Sequence, residues 1–254
     1  MKNRFTILGC GSSLGVPRID GFFGSCDPNN IKNYRSRCSA LLTINKKNIL
    51  FDTSPDLKSQ LLNNKINNID YVFYTHSHAD QTHGINELRV FFLKNKKKIP
   101  TYADTNTKKY LLKSFNYCFN DSYDYPATLK LKNLKNKNII NKNIDVQGVL
   151  VKHGSIESVA YIINSKCAYA PDVNKIYNKD LQKFKNLDYF VVDCLRYKYH
   201  PSHFNLENVL DLVKIIQPKK TILTNLHNDI DYLKIKKILP RNIIPAYDGM
   251  SFNI

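Results

Sequence analysis

The sequence predicts an α/β fold in a single domain that covers residues 1–254. Its 254 residues are enough to bury one full hydrophobic core. Apolar runs typical of strands alternate with stretches of helical periodicity, as they do in α/β domains. No internal repeat of roughly 20 to 50 residues and no evident linker divides the chain. One domain is therefore the simplest organisation.

The first half of the chain carries strand and helix signals in alternation. Pro55 lies in the first turn of a predicted helix, where proline is favoured. Runs rich in β-branched and aromatic residues predict strands at residues 5–8, 39–45, 47–51 and 70–74. Apolar residues at helical spacing predict helices at residues 57–62, 86–93 and 105–118. The strand over residues 70–74 leads directly into a cluster of histidines.

The second half continues this alternation. Residues 129–151 are rich in Lys and Asn and have alternating apolar positions, which is typical of edge strands. Further strands are predicted at residues 161–163, 167–170, 189–192 and 221–223. The helices predicted here are residues 205–216, which are clearly amphipathic, and residues 231–239.

The chain is strongly basic, with a formal net charge of +17. Such an excess favours anionic partners, either nucleic acid or a small phosphorylated substrate. The sequence is also crowded with Lys, Asn, Ile and Tyr, a bias that an AT-rich genome can produce on its own. The charge thus favours an anionic substrate without deciding between RNA binding and genome composition.

Six cysteines are spread along the chain without a CxxC pair, which favours free thiols. No stretch reaches the roughly 20 apolar residues of a bilayer-spanning helix, and the N-terminal segment has no signal-peptide pattern. We therefore expect a cytoplasmic protein without membrane association. Homodimer formation stays open at this point.

The strongest functional signal is the segment His76–Asp80, which follows a predicted buried strand. His76 and His78 alternate with small residues, so both imidazoles can turn towards one ion. Neutral imidazole is the usual ligand of zinc and related metals, and the carboxylate of Asp80 adds negative charge. All seven histidines are expected at or just after strand ends, where functional sites are commonly built. The sequence therefore predicts a metal centre at this segment.

This segment resembles the HxHxDH motif, followed after two residues by Gly, of the metallo-β-lactamase superfamily. The resemblance covers the whole chain and implies an αββα four-layer sandwich with the site at one edge of its two sheets. Asp52 matches the first motif of the family and supports the metal-binding loop. The residues that the resemblance implies as metal ligands are His76, His78, Asp80, His153 and Asp172, the last of which bridges two metals in the family.

Three further segments are similar to the PhnP-type subgroup of this superfamily. They are the glycine-rich opening Gly9–Ser13, the stretch Arg35–Ser39 and the ending Pro245–Gly249. A named member of the subgroup hydrolyses phosphoribosyl cyclic phosphate. The subgroup can also carry a structural zinc bound by clustered cysteines. Only Cys26 stands in that region here, so this zinc is not expected.

Two positions depart from the family pattern. Gln81 stands where the family has a second-metal histidine, and Asn225 stands where a later histidine completes the same site. Both changes remove an imidazole from one metal position. We therefore expect a divalent cofactor, Zn or Mn, of one or two ions, with the second ion bound weakly or replaced by a harder ion. His83 and His227 lie close by in sequence and are alternative ligands.

The resemblance also implies catalytic roles. The region of His203 supplies a histidine near the leaving group in the family, so we expect His203 to act as general acid, with a helix-cap or supporting role as the alternative. Asp80 is expected to orient the nucleophilic water where the second site is weak. Arg37 is a candidate for binding a substrate phosphate with both arms of its guanidinium, and a structural use of this arginine is the alternative.

The function expected from these residues is that of a metal-dependent hydrolase. The leading prediction is a phosphodiesterase that attacks a small cyclic phosphate or nucleotide with a metal-bound hydroxide. RNA processing of the tRNase Z type is the alternative within the same fold and agrees with the charge, although no inserted Gly/Pro-rich arm is evident. A non-enzymatic binding module with a degraded second metal site is the alternative from another class.

Overall fold

The computed structural model describes residues 3–122, 124–141 and 144–254. Within these residues two seven-stranded sheets pack face to face, and helices cover both outer faces. This helix–sheet–sheet–helix layering confirms the αββα sandwich expected from the sequence.

The strands are short and follow one another through the whole described chain. In chain order they are β1 (Arg4–Gly9), β2 (Ser39–Ile44), β3 (Lys47–Phe51), β4 (Tyr71–Phe73), β5 (Ile99–Ala103), β6 (Leu129–Asn133), β7 (Lys137–Asn141), β8 (Ile144–His153), β9 (Ile156–Ile163), β10 (Cys167–Ala170), β11 (Tyr189–Asp193), β12 (Lys220–Thr224), β13 (Ile243–Pro245) and β14 (Ser251–Asn253).

The first sheet has the order β14-β1-β2-β3-β4-β5-β6, and the second has the order β13-β12-β11-β10-β9-β8-β7. Strands β3 to β6 run parallel to one another, and so do strands β10 to β13. The carboxyl ends of parallel strands meet at one edge of a sheet, which is where ligands bind in α/β folds. The segments that follow β4, β10, β11 and β12 therefore lie together at one edge of the sandwich, around a common cavity.

The α-helices lie between these strands. They are α1 (Leu57–Asn63), α2 (Ala79–Thr82), α3 (Arg89–Asn95), α4 (Thr105–Ser114), α5 (Asn116–Phe119), α6 (Leu206–Ile216) and α7 (Tyr232–Ile238). Helix α6 begins with a capping box. The side chain of Asn205 accepts a hydrogen bond from the backbone nitrogen of Asn208, and the side chain of Asn208 accepts one from the backbone nitrogen of Asn205. The helices predicted over residues 205–216 and 231–239 are thus confirmed.

Three hydrophobic clusters hold the layers together. Phe51 lies at the centre of the cluster between the sheets and contacts the rings of Phe73, Tyr161 and Tyr169. A second cluster packs α1, α3 and α4 on the first sheet, and a third packs α6 and α7 on the second sheet. Truncation of a buried aromatic such as Phe51 typically costs about 3–5 kcal/mol. The sheets are therefore a rigid support for the loops at their edge.

Two details differ from the sequence prediction. The helix predicted over residues 105–118 is interrupted at Phe115, whose φ of −131° and ψ of 37° leave the helical region. Residues 129–151 contain two edge strands, β6 and β7, but β8 lies inside the second sheet because β7 covers its outer side. Residues 142 and 143 of that range lie outside the described residues. The content of Lys and Asn in these residues does not show which strand of a pair lies at the edge of the sheet.

All six cysteines are buried and free, as the sequence predicted. No helix in the described ranges is long and apolar enough to cross a bilayer.

Candidate metal centre

The segment that follows β4 is held in place by Asp52, which follows the neighbouring parallel strand β3. Both carboxylate oxygens of Asp52 accept from Thr75, one from its backbone nitrogen at 2.7 Å and one from its hydroxyl at 2.9 Å. Asp52 is fully buried and has a positive φ of 61°. These two hydrogen bonds fix the backbone at the point where the first histidine begins. The support that the sequence assigned to Asp52 is thus present.

The same network fixes the tautomer of His76. Its Nδ1 atom lies 3.0 Å from the Thr75 hydroxyl oxygen. Because that hydroxyl donates its proton to Asp52, the Nδ1–H group of His76 must be the donor to Thr75. The Nε2 atom of His76 is then unprotonated and free to bind a metal. Burial, followed by the neighbouring histidines, lowers the pKa of His76 well below its usual value and favours this neutral form.

His153 ends β8 and is oriented in a similar way. Its Nδ1 atom donates to the backbone carbonyl of Ser202 at 2.7 Å, which leaves Nε2 free. Gly154 allows this approach, because it has a φ of 63° and an added Cβ would lie 2.7 Å from the Cβ of Ser202. Burial and the nearby charge of His203 lower the pKa of His153 to about 4.

Three imidazole nitrogens converge at this point. The Nδ1 atom of His78 lies 2.9 Å from Nε2 of His76 and 3.4 Å from Nε2 of His153. All three lie within 4.8 Å of one another. Nitrogens bound to one tetrahedral zinc are about 3.3 Å apart, since each Zn–N distance is about 2.0–2.1 Å. The three side chains therefore have the spacing of a shared metal site, and the tautomers of His76 and His153 leave a free lone pair directed into it.

A carboxylate and a fourth histidine stand beside this cluster. Asp172 lies just after β10, and ligand atoms of Asp172, His153 and His203 also fall within 4.8 Å of one another. His153 belongs to both groups, so the groups are adjacent. Burial, followed by the charge of Asp80, raises the pKa of Asp172 well above its usual value.

His203 is paired with Asp193, the last residue of β11. Its Nδ1 atom donates to Oδ2 of Asp193 at 2.6 Å, and its side chain is 15% exposed. Burial lowers the pKa of His203. The charge and hydrogen bond of Asp193, with the charges of Asp172 and Asp80, have a larger effect and raise this pKa to about 9. The second ring nitrogen, Nε2, is left to act towards the cavity.

One cavity of about 450 Å³ unites these groups. Most of the residues predicted as ligands or catalysts line it, together with polar neighbours from the glycine-rich loop: His78, Asp80, His153, Asp172, His203, Asn225, His227, Ser12 and Ser13. His76 lines an adjoining cavity and reaches the site through its contact with His78. The predicted metal and catalytic residues are thus gathered at one edge of the sandwich. A model of the β-lactamase superfamily domain matches residues 47–225. The chain belongs to the β-lactamase superfamily.

Solved structures of this superfamily resemble the whole chain. A diphosphatase from the PhnP family is 29% identical, with a TM-score of 0.90 over 100% of this chain and 98% of its own. The short form of human tRNase Z is 16% identical, with a TM-score of 0.71 over 99% of both chains. The resemblance to tRNase Z is one of fold. The expected superfamily and its metal-dependent hydrolase fold are therefore confirmed.

A curated relative of different description is the octanoyltransferase of Porphyromonas gingivalis. It is 29% identical over 253 residues, which are 97% of this chain and 51% of that protein. The chain thus spans about half the length of this relative.

Two amide side chains, Gln81 and Asn225, stand at the positions that the resemblance assigns to a second metal site, and both donate to Asp172. Gln81 donates from Nε2 to Oδ2 of Asp172 at 3.0 Å, and Asn225 donates from Nδ2 to Oδ1 of Asp172 at 3.2 Å. Asn225 also donates to the carbonyl of Pro171 at 3.0 Å. N–H groups face the carboxylate from both sides, and an N–H group cannot bind a cation. These residues do not fit a second zinc.

His83 and Arg37 lie apart from the metal centre. The sequence predicted that His83 lies at or just after a strand end, and this prediction was wrong. His83 caps the end of α2, where it is exposed and forms a hydrogen bond with the hydroxyl of Tyr110. Arg37 uses Nε and Nη2 to bind both oxygens of Asp56, at 2.8 and 2.6 Å, and lines a neighbouring cavity. Its charge still acts to lower the pKa of Asp80, although burial raises that pKa overall. His227, by contrast, lines the metal cavity.

Sequence reasoning missed the groups that orient the ligands. Thr75 lies directly before His76, and Ser202 lies directly before His203, so both stood beside residues already singled out. Asp193 follows the strand predicted over residues 189–192 and could have been found by the same strand-end signal as the histidines.

Proposed function

We propose that this chain is a phosphodiesterase of the superfamily that hydrolyses a small cyclic phosphate or a nucleotide. The observation that carries the proposal is that the three-imidazole cluster adjoins Asp172 and His203 at one cavity, which His78, His153, Asp172 and His203 line. The similarity to a diphosphatase from the PhnP family supports a phosphorylated substrate. The net charge of +17 favours such an anion.

The residues present fit one divalent cation. His76, His78 and His153 would hold it, and Asp172 would complete the set. When bound, such an ion lowers the pKa of a coordinated water to about 7 and polarises a phosphoryl oxygen. Three neutral imidazoles and one carboxylate form a donor set that suits zinc.

The side chains around this position supply the remaining chemistry. Asp80 lines the cavity and accepts a hydrogen bond from the attacking water, which orients it towards phosphorus. Asp193 holds Nδ1 of His203, so Nε2 of His203 donates its proton to the leaving oxygen. A general acid of this kind contributes roughly 10² to 10⁴ in rate.

Hydrolysis of bis-p-nitrophenyl phosphate tests this proposal. The protein is stripped with a chelator, and Zn²⁺ and Mn²⁺ are then returned singly. We expect activity to return with metal and to be lost in His78→Ala, because this change removes one of the three clustered nitrogens. His83→Ala is the matched control and should keep the parent activity, since His83 lies outside the cavity. Equal activity of His78→Ala and the parent would contradict the proposal.

RNA processing of the tRNase Z type is the second candidate. The net charge of +17 and the likeness in fold to human tRNase Z favour it. Incubation with a 3′-extended transfer RNA under the same metal conditions separates the two functions. Cleavage of that RNA without hydrolysis of small phosphodiesters would replace the first proposal by the second. Metal binding without either activity would favour the binding module.

A further inference from the structure

The segment between β11 and α6 is a closed loop at the cavity. Its two ends are joined, because the backbone nitrogen of Leu195 donates to the carbonyl of Phe204 at 3.0 Å and that of Leu206 donates to Arg196 at 3.2 Å. Both ends continue into secondary structure that packs in the core. The loop is therefore anchored on both sides.

The inner half of this loop is bound to the metal centre. The carbonyl of Ser202 accepts from His153 at 2.7 Å, and the carbonyl of Pro201 accepts from the side chain of Asn174 at 2.9 Å. Arg196 and His200 line the metal cavity. The three residues between them, 197–199, therefore stand at the rim of that cavity.

The outer tip of the loop presents two aromatic rings to solvent. Tyr197 is 39% exposed and Tyr199 is 71% exposed. The guanidinium of Arg196 donates to the carbonyl of Lys198 at 3.3 Å and to that of Tyr199 at 2.7 Å, which fixes the backbone of the tip. In the part of the chain that the structure describes, neither ring stacks on another aromatic side chain. The ring of Tyr199 is thus exposed to solvent on a fixed backbone, next in sequence to His200, which lines the cavity.

Positive charge alternates with these rings. Arg196 and Lys198 form no ion pair with a carboxylate among the described residues. An unneutralised cation beside an exposed ring is the combination that binds a phosphate and an attached base together. A sugar phosphate without a base would interact with the positive charges but would have no base to stack on the rings.

We infer that residues 196–200 form a nucleobase-binding site next to the metal centre, with Tyr199 as the stacking surface. This inference rests on the proposed function and narrows the substrate to a phosphodiester that carries a nucleoside. The base stacks on Tyr199, while Arg196 and Lys198 attract the phosphate towards the cavity. Tyr199 is then a specificity-determining residue, not a part of the chemical step.

Equilibrium binding of two ligands to the zinc-loaded protein tests the inference directly. Adenosine 5′-monophosphate and ribose 5-phosphate share the sugar and the phosphate and differ in the base. We expect the nucleotide to bind about tenfold more tightly, since stacking of one base on an aromatic side chain increases affinity by about this factor. Tyr199→Ala should remove most of this preference without changing the affinity for ribose 5-phosphate, and Tyr199→Phe should keep it.

Tyr117→Ala is the matched control. Tyr117 is 42% exposed, but it lies against Tyr125 and belongs to α5, a helix that contributes no residue to the lining of the cavity. Equal affinity of the parent for both ligands would overturn the inference, and so would an equal loss for both in Tyr199→Ala. Binding requires no turnover, so the binding experiment tests the inference even if the phosphodiesterase assay shows no activity. A short oligoadenylate distinguishes RNA from free nucleotide, because affinity that rises with each added nucleotide would identify RNA as the source of the base.

Discussion

The Nε2 atom of Gln81 lies 3.0 Å from the Oδ2 atom of Asp172 and donates a hydrogen bond to it. Asn225 donates to the other oxygen of the same carboxylate at 3.2 Å. The resemblance to the superfamily places a metal-binding histidine at each of these two positions. Two amide donors thus satisfy the carboxylate where a second cation would otherwise do so. A second zinc would have to displace both hydrogen bonds without gaining a nitrogen ligand.

The first prediction concerns these two amides. The double variant Gln81→His/Asn225→His restores two imidazoles and should bind two zinc ions per chain, whereas the parent should bind one tightly. Native mass spectrometry after chelation and zinc return measures the number of ions. Gln81→Glu is the control for charge alone, since it adds a carboxylate but no nitrogen. A count of one ion in the double variant would mean that these positions do not correspond to the second site.

The second prediction concerns the orientation of His76. Thr75→Val keeps the shape of the side chain but removes the hydroxyl that links Asp52 to Nδ1 of His76. Loss of such a supporting hydrogen bond typically costs 10- to 100-fold in metal affinity, so we expect about this loss for zinc. Chelator competition measures the affinity. Thr75→Ser retains the hydroxyl and should bind zinc like the parent. Parent-like zinc affinity in Thr75→Val would show that the hydroxyl does not orient His76.

The third prediction distinguishes acid catalysis by His203 from a structural role of this residue. p-Nitrophenolate leaves as a stable anion, so His203→Ala should affect the hydrolysis of its esters only a little. An alkoxide leaving group needs a proton, and with such a substrate kcat should fall by roughly 10² to 10⁴. Steady-state kinetics on a matched pair of esters gives the comparison. Asp193→Asn should follow the same pattern, because Asp193 orients the ring. Equal losses on both esters would argue for a structural role of His203.

The fourth prediction concerns the glycine after the histidine motif. A Cβ atom at Gly84 would lie 2.0 Å from the carbonyl oxygen of Ser54 and 3.0 Å from the Cβ of Leu57. Gly84→Ala must therefore shift the backbone around the metal loop, and such overpacking typically costs about 1–3 kcal/mol of stability. Thermal unfolding measures the loss. Ser114→Ala at the exposed end of α4 is the control and should leave Tm unchanged. An unchanged Tm for Gly84→Ala would show that this loop yields without strain.

Much of this site could be predicted from two kinds of signal. His76 and His78 follow an apolar strand, and the resemblance to the family implied His153 and Asp172 as further ligands. The topology brings these strand ends to one edge of the sandwich. The strand and helix order was likewise set by short-range periodicity. Such signals depend only on neighbours in sequence, which is why a single chain reveals them.

The partners of these residues could not be predicted in the same way. Arg37 pairs with Asp56, which is 19 residues away and lies in the turn before α1. His83 lies three residues after Asp80, but the turn of α2 directs it outward to Tyr110. Both outcomes depend on where distant side chains lie after folding. Periodicity and motif spacing carry no information on that point.

The zinc content of the parent and of two single-histidine variants tests the central claim most directly. The parent, His78→Ala and His83→Ala are stripped with the same chelator, given equal zinc, desalted and examined by native mass spectrometry. The structure predicts one zinc ion in the parent and in His83→Ala, and none retained in His78→Ala, because His78 belongs to the three-imidazole cluster and His83 does not. No zinc in the parent, or equal zinc in His78→Ala, would contradict the assignment of this cluster as the metal centre.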